Sequence, residues 1–292
     1  MKNRKFIEGE YQHVYQRTAK RHNIFYCDAD YLVYFTIFCI WASRLKIHVL
    51  GLCLMIDHLH MLIQGRTKET VSRFISTVTK IFMHEYNSAI GRSGTLFEKR
   101  FGSATKQGRK KLVTTIVYIG NNPVEKKLCM RAEQYRWNFI AYLASDHPFS
   151  EKIYRKKMSL RLRKAVNVVD SYHDKGLYLN HTILYRMMDG MTSTEINYLT
   201  DYIISSYFFI DRSVLMSNFN SYEEMLTSMH STTGSEHDLK EYFDRMSDSV
   251  YRDMIKVARN NSQEDVRSVI VGSSERKFQM AEEIKRHTAA PL

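Results

Sequence analysis

The sequence predicts an α+β fold for the first half of this 292-residue chain and an all-helical second half. Two observations lead to this prediction. Up to about residue 150, short runs rich in β-branched and apolar residues alternate with longer segments of helical spacing, whereas nearly every later segment has helical character. The hydrophobic content of 44% is sufficient for a packed core, which excludes a disordered chain.

The first five elements follow one another along the chain. Near-alternation over 11–19 predicts a strand, and 28–45 starts with capping residues and continues as a helix without Gly or Pro. The runs 46–55 and 58–65 predict two strands that meet around Ile56-Asp57. An apolar stripe at helical spacing then predicts a helix over 67–90.

Two further elements complete the predicted sheet. Residues 95–107 are typical of a strand or an extended loop, and 108–122 of another helix, which Pro123 is expected to end. The order β-α-β-β-α-β is typical of a ferredoxin-like antiparallel sheet with helices on one face.

The second half is predicted to be a separate helical domain of unknown role, giving domains at 1–150 and 151–292. Its first segment, 152–165, is a basic connector or helix. The predicted helices that follow lie at 192–208, 221–231 and 235–260. Residues 265–288 have a faint helix-turn-helix pattern with Gly272 in the turn, although an ordinary helical pair is the better interpretation.

The basic charge is confined to the first half. Residues 1–150 contain 23 Lys and Arg against 11 Asp and Glu, a net charge of +12, and the remaining residues contain 20 against 20. This asymmetry indicates a polyanion partner for the first half. A solvated lysine-rich surface would produce the same count, so charge alone leaves the two interpretations open.

The cysteine spacing and the apolar segments of the sequence predict the cellular location of the protein. The four cysteines are widely spaced without a CxxC pair, which is typical of reduced thiols in a cytosolic protein. The charged N-terminus is followed by no signal-like apolar run, and the apolar segment 31–42 is too short to cross a bilayer. We therefore expect a soluble, cytoplasmic protein with no membrane partner.

The stretch VLGLCLMIDHLHMLIQG places His58 and His60 two residues apart in an apolar strand. Side chains at i and i+2 of a strand share a face, so the two imidazoles form the start of a divalent metal site. A hydrogen-bonded pair beside a cleft fits the same spacing equally well. Tyr118 and Asn122, four residues apart on one helical face, could add an amide ligand and a reactive hydroxyl. Spacing alone favours an ordinary tyrosine and a helix end there.

Several blocks together resemble the REP-associated tyrosine transposases, single-tyrosine members of the IS200-like superfamily of HUH nucleases. The blocks are HVYQRTAKRHNIFYCDADY (13–31), LCLMIDHLHMLI (52–63), GRSGTLFEKRFGS (91–103), VYIGNNPVEKKL (117–128) and QYRWNFIAYL (134–143). They stand in the family's order and cover about half the chain. Ile56 and the NNPVEKKL block depart from the family pattern, which leaves an inactive, domesticated copy as an alternative.

The resemblance implies a function and a set of site residues. It implies a metal-dependent enzyme that cleaves and rejoins single-stranded DNA near hairpins through a 5′-phosphotyrosine, as a monomer or homodimer. His58, His60 and Asn122 would hold Mg²⁺ or Mn²⁺, and Tyr118 would be the nucleophile. Hydrolysis by a metal-activated water, without a covalent step, and non-catalytic nucleic-acid binding are the alternatives.

Basic residues flank the blocks that contain these groups and are natural phosphate contacts. They are Arg92, Lys99, Arg100, Lys106, Arg109, Lys110 and Lys111. A solvated surface is the alternative for them. Phe97 and Phe101 lie among them and could stack on unpaired bases, although core packing is the better interpretation for both.

Overall fold

The computed structural model describes residues 6–19, 22–98, 100–231, 248–261, 269 and 272–288. Its strands are β1 Tyr11–Arg17, β2 His48–Leu54, β3 His58–Gln64 and β4 Gly102–Lys106. Its helices are α1 Asp28–Arg44, α2 Lys68–Ala89, α3 Gly108–Glu125, α4 Leu160–Asp174, α5 His181–Met188, α6 Ser193–Tyr207, α7 Arg212–Met216, α8 Tyr222–Ser231, α9 Asp248–Asn261 and α10 Ser274–His287.

The four strands form one antiparallel sheet in the order β2-β3-β1-β4. This order and the sequence of elements confirm the predicted ferredoxin-like arrangement. The two central strands are β1 and β3, and their register places Tyr15 opposite His60 and Arg17 opposite His58. The histidine pair therefore lies in the middle of the sheet, where neighbouring strands fix its position.

The two faces of the sheet are covered by different helices. Leu59, Met61 and Ile63 of β3 point to one face and share a hydrophobic cluster with α1 and α2. Leu62 points to the other face and packs in a second cluster with residues of α3. Because side chains alternate along a strand, His58 and His60 lie on the same face as Leu62. Helix α3 thus covers the face that holds the histidines. The prediction of helices on one face therefore holds for α1 and α2 but not for α3.

Helix α3 extends further than the sequence predicts, because Pro123 lies inside it and the helix ends at Glu125. Proline removes one backbone donor and crowds the carbonyl four residues earlier. Here it stands in the last turn, where the amides of Lys126 and Leu128 bond back to the carbonyls of Asn122 and Pro123. The local cost is limited to one intrahelical bond, so Asn122 remains helical.

The described part of the second half is helical and contains no strand, as predicted. Helices α5 and α6 pack directly on α1, and α4 packs on both of them. Their apolar side chains join the same cluster as α1 and α2. The boundary near residue 150 stays a prediction. Residues 265–268, 270 and 271 of the predicted helix-turn-helix lie outside the described residues, as do residues 235–247 of the predicted helix 235–260.

No helix in the described ranges combines the length and the apolar composition that crossing a bilayer requires. The longest helix, α2, has charged and polar residues along one side and buries Val71, Phe74, Ile75 and Val78 along the other. It is an amphipathic helix that covers a sheet.

Candidate active site

Five aromatic side chains form a layer between the sheet and α3. They are His13 and Tyr15 of β1, His58 and His60 of β3, and Tyr118 of α3. The ring centroids of His58 and His60 lie 5.2 Å apart, and those of Tyr118 and His60 lie 5.5 Å apart in an edge-to-face arrangement. The structure thus brings the predicted histidine pair and the predicted nucleophile together, from positions about 60 residues apart in the sequence.

The orientation of the His58 ring is fixed by its neighbour in sequence. Its Nδ1 lies 2.5 Å from Oδ1 of Asp57. Burial raises the pKa of Asp57, but the hydrogen bond and charge of His58, together with Arg17 and Lys126, outweigh burial and lower that pKa. An ionised carboxylate can only accept, so Nδ1 of His58 is the protonated nitrogen. In the neutral ring, Nε2 then holds the lone pair that a metal ion needs.

His60 is completely buried and lies between two other imidazoles. Its Nδ1 is 3.0 Å from Nε2 of His13. Burial lowers the pKa of His60 well below its usual value, and the positive charges of His13, His58 and Lys126 lower it further. The ring is therefore neutral at physiological pH, which is the form that binds metals.

Helix α3 places Tyr118 and Asn122 one turn apart on the same helical face, and both side chains are buried. Tyr118 is 6% exposed and Asn122 is 1% exposed. The side-chain oxygen of Asn122 is buried and has no hydrogen-bond partner, and the same is true of Nε2 of His58. Buried polar atoms without partners are costly, so each of these two atoms is available to a ligand.

The donor set fits a divalent cation. In the described part of the chain, no group of three or more His, Cys, Asp or Glu side chains is arranged to hold a metal. A cation bound by His58 and His60 therefore needs a ligand of another type, and the amide oxygen of Asn122 has the right chemistry for Mg²⁺ or Mn²⁺.

Comparison with protein families gives a match over the sheet, its helices and this layer. Residues 7–122 match the family model described as "Transposase IS200 like". This part of the chain is therefore similar to IS200-like transposases. The matched region, as we call residues 7–122, includes all four predicted site residues, with Asn122 as the last residue of the match.

Solved structures give a weaker likeness. A structure described as the REP-associated tyrosine transposase bound to a REP hairpin is 14% identical to this chain. The match covers 55% of this chain and 90% of that one, with a TM-score of 0.44. A search of curated proteins found no match.

The predicted phosphate contacts differ in their burial and lie in or near the matched region. Arg100, Arg109, Lys110 and Lys111 are exposed, whereas Lys106 is 1% exposed. Lys99 lies outside the described residues.

Protein partners are described for Arg92 and Arg109. The Arg92 guanidinium donates to the side-chain oxygen of Asn87 and to the carbonyl of Thr95. Arg109 donates to the carbonyl of Asn218. Contacts between these residues and DNA stay predictions.

Two members of the aromatic layer were not anticipated from the sequence. His13 and Tyr15 stand at i and i+2 of β1, and the Tyr15 ring is 5.0 Å from that of His60. The alternation of YQHVYQR indicates that these side chains share a face. The sequence does not show which strand pairs with β1, so the contact of these side chains with the histidines of β3 becomes known only from the pairing of the strands. Phe97 is buried and Phe101 packs against the core, which confirms core packing for both.

Proposed function

We propose that this protein is a metal-dependent transposase that cleaves and rejoins single-stranded DNA near hairpins, with Tyr118 as the nucleophile. The observation that supports this most directly is the contact of Tyr118 with a buried histidine pair, in which Nε2 of His58 has no hydrogen-bond partner. A buried histidine with a purely structural role is expected to have a partner for that atom. The similarity of residues 7–122 to the IS200-like transposase model agrees with DNA strand transfer as the reaction.

The residues of this chain have distinct roles in the proposed reaction. His58, His60 and Asn122 would hold Mg²⁺ or Mn²⁺ in the dry space between the sheet and α3. When bound, the cation polarises a non-bridging oxygen of the scissile phosphate. Asp57 keeps the His58 ring in the metal-binding tautomer, and the burial of His60 keeps it neutral. The hydroxyl of Tyr118, on helix α3, would attack that phosphate.

The proposed step conserves the phosphodiester linkage. Oη of Tyr118 attacks phosphorus, forming a tyrosyl O–P bond and breaking the P–O3′ bond. The phenolic proton leaves Tyr118 and the departing O3′ gains one, so the products are a 5′-phosphotyrosine and a free 3′-hydroxyl. No water is consumed, and a 3′-hydroxyl can reverse the step to rejoin strands.

The test is a covalent-adduct assay with labelled single-stranded oligonucleotides from the DNA flanking the gene, hairpins included, in Mg²⁺ or Mn²⁺. Wild type is expected to form a denaturant-resistant protein–DNA adduct. Tyr118→Phe and His58→Ala are expected to abolish it, because the first removes the nucleophilic hydroxyl and the second removes a proposed metal ligand. Tyr154→Phe and His173→Ala are matched controls, because both positions lie on the surface away from the site.

The rival mechanisms give different results in the same assay. Cleavage that survives Tyr118→Phe, with no adduct in wild type, would assign the chemistry to a metal-activated water. Tight binding without cleavage of any flanking substrate would make the protein a domesticated DNA-binding protein. Either outcome contradicts the proposal.

A further inference from the structure

A cavity of about 280 Å³ lies next to the proposed active site. Its lining comes from four places: the start of α1, the turn before β3, the segment after α3, and α9. The volume is close to the lower end of the range for small-ligand sites, about 300 Å³. The cavity is thus large enough for one small planar group.

The walls of the cavity are mainly aromatic. The ring of Tyr31 stacks between those of Phe25 and Trp137, with centroid distances of 4.4 and 4.3 Å. The hydroxyl of Tyr135 donates to the carbonyl of Leu54 at 2.7 Å, which fixes that ring as well. Rings held in place in this way lose little entropy on binding a flat ligand, and they give the cavity rigid aromatic walls.

The rim of the cavity has a positive excess. Helix α9 contributes Lys256 and Arg259, which are three residues apart on one helical face and are both exposed. The lining also includes Asp28, whose carboxylate is 3.9 Å from the guanidinium of Arg136. Two cations beside fixed aromatic rings match a ligand with a planar apolar part and a negative charge.

Two residues that line the cavity lie close in the sequence to proposed site residues. Ile56 lines it and stands two residues before His58, which is at most about 7 Å of chain. Leu128 lines it from the other side and follows Asn122 by six residues. Ile56 and Leu128 therefore link the wall of the cavity to the two segments that contain the proposed site residues.

We propose that this cavity binds one unpaired nucleotide of the DNA substrate, close to the cleaved bond. The base enters between the aromatic walls, and the phosphate is held by Lys256 and Arg259. This inference rests on the proposed function, because it assumes that single-stranded DNA reaches Tyr118. It gives the second half of the chain a direct role in substrate binding, through α9.

The experiment measures the affinity of the full-length protein for a single-stranded hairpin oligonucleotide by fluorescence anisotropy. Each unpaired nucleotide is replaced in turn by an abasic one. Stacking of one base on aromatic side chains is worth about 1–3 kcal/mol, so we expect roughly a 5- to 100-fold loss of affinity at one position near the cleavage site.

A double variant then tests whether the cavity is responsible for that loss. Lys256→Ala/Arg259→Ala is expected to weaken binding roughly fivefold or more and to reduce the effect of the sensitive abasic position. The matched control is Lys164→Ala/Lys175→Ala, which removes the same charge from exposed positions on α4 and at its end. All four side chains are exposed, so none of the substitutions is expected to prevent folding.

Adduct formation with the unmodified oligonucleotide is measured in parallel. A Tyr118-dependent adduct combined with an abasic series of uniform affinity would overturn the cavity assignment and leave the proposed function intact. Equal losses in the two double variants would also overturn it, since nonspecific charge would then explain the effect. Absence of both adduct and single-strand binding would overturn both proposals.

Discussion

Asp57 determines which ring nitrogen of His58, the next residue in the sequence, is protonated. Its carboxylate is kept ionised by His58, Arg17 and Lys126, despite burial that acts in the opposite direction. That charge selects the tautomer in which Nε2 of His58 faces the site. Loss of a hydrogen-bond partner of this kind typically lowers metal affinity by about 10- to 100-fold.

Asp57→Asn is therefore expected to raise the metal concentration needed for half-maximal adduct formation by about 10- to 100-fold. The neutral amide no longer favours the tautomer with the proton on Nδ1. The measurement is a metal titration of the adduct assay, with Asp174→Asn as the control, because Asp174 also follows a histidine but is exposed. An unchanged titration curve would show that Asp57 does not orient a ligand.

The site residues could be predicted from the sequence where local spacing decides their position. Strand alternation predicts that His58 and His60 share a face, and helical spacing predicts the same for Tyr118 and Asn122. The contact of His13 with His60 could not be predicted in this way, because it depends on the pairing of two strands 47 residues apart. Spacing within an element is local information, whereas register is set by the whole sheet.

At the scale of elements, α3 is fixed from both sides. Its inner face packs on the sheet, and its outer face packs on α8, whose Met225 and Met229 are fully buried. The close approach depends on Gly120, where a Cβ atom would lie 2.6 Å from Ile140 and from Met229. The position of Tyr118, two residues earlier, therefore depends on a helix from the second half.

Gly120→Ala is expected to destabilise the protein by up to about 2 kcal/mol, because an overpacking cost of about 1–3 kcal/mol is partly offset by a gain in helix propensity of up to about 1 kcal/mol. Denaturant unfolding of the full-length chain measures this change. The same substitution is expected to cost less in a Met229→Ala background, which removes one of the two obstructing side chains. Gly51→Ala is the control, since its new Cβ would have ordinary contacts at 3.6 Å and beyond. Equal effects of Gly120→Ala in both backgrounds would contradict the inference that Met229 of α8 restricts the space at Gly120.

At the scale of the whole molecule, α1 joins the two halves. Thirteen of its 17 residues are buried, since the sheet and α2 cover one side and α5 and α6 cover the other. The continuous apolar run of this helix is explained by burial on all sides. Buried polar groups reinforce the junction: Asp30 bonds His181 of α5 at 2.9 Å, and Asp201 of α6 accepts from the hydroxyl of Tyr142 at 2.7 Å. The sequence shows the change in composition near residue 150 but not this shared core, which depends on long-range packing.

A fragment of residues 1–150 is therefore expected to lack a cooperative unfolding transition, whereas a fragment of residues 1–231 is expected to retain one. The shorter fragment loses several fully buried side chains, each worth about 1.5–3 kcal/mol. They include Leu162, Leu199, Ile203 and Ile204. Together these four approach the 5–15 kcal/mol that stabilises a typical domain, and the outer face of α1 would be exposed to water as well. Circular dichroism during thermal unfolding measures the difference. A cooperative transition in residues 1–150 at the temperature of the full chain would instead support two independent domains, with the boundary that the sequence predicts.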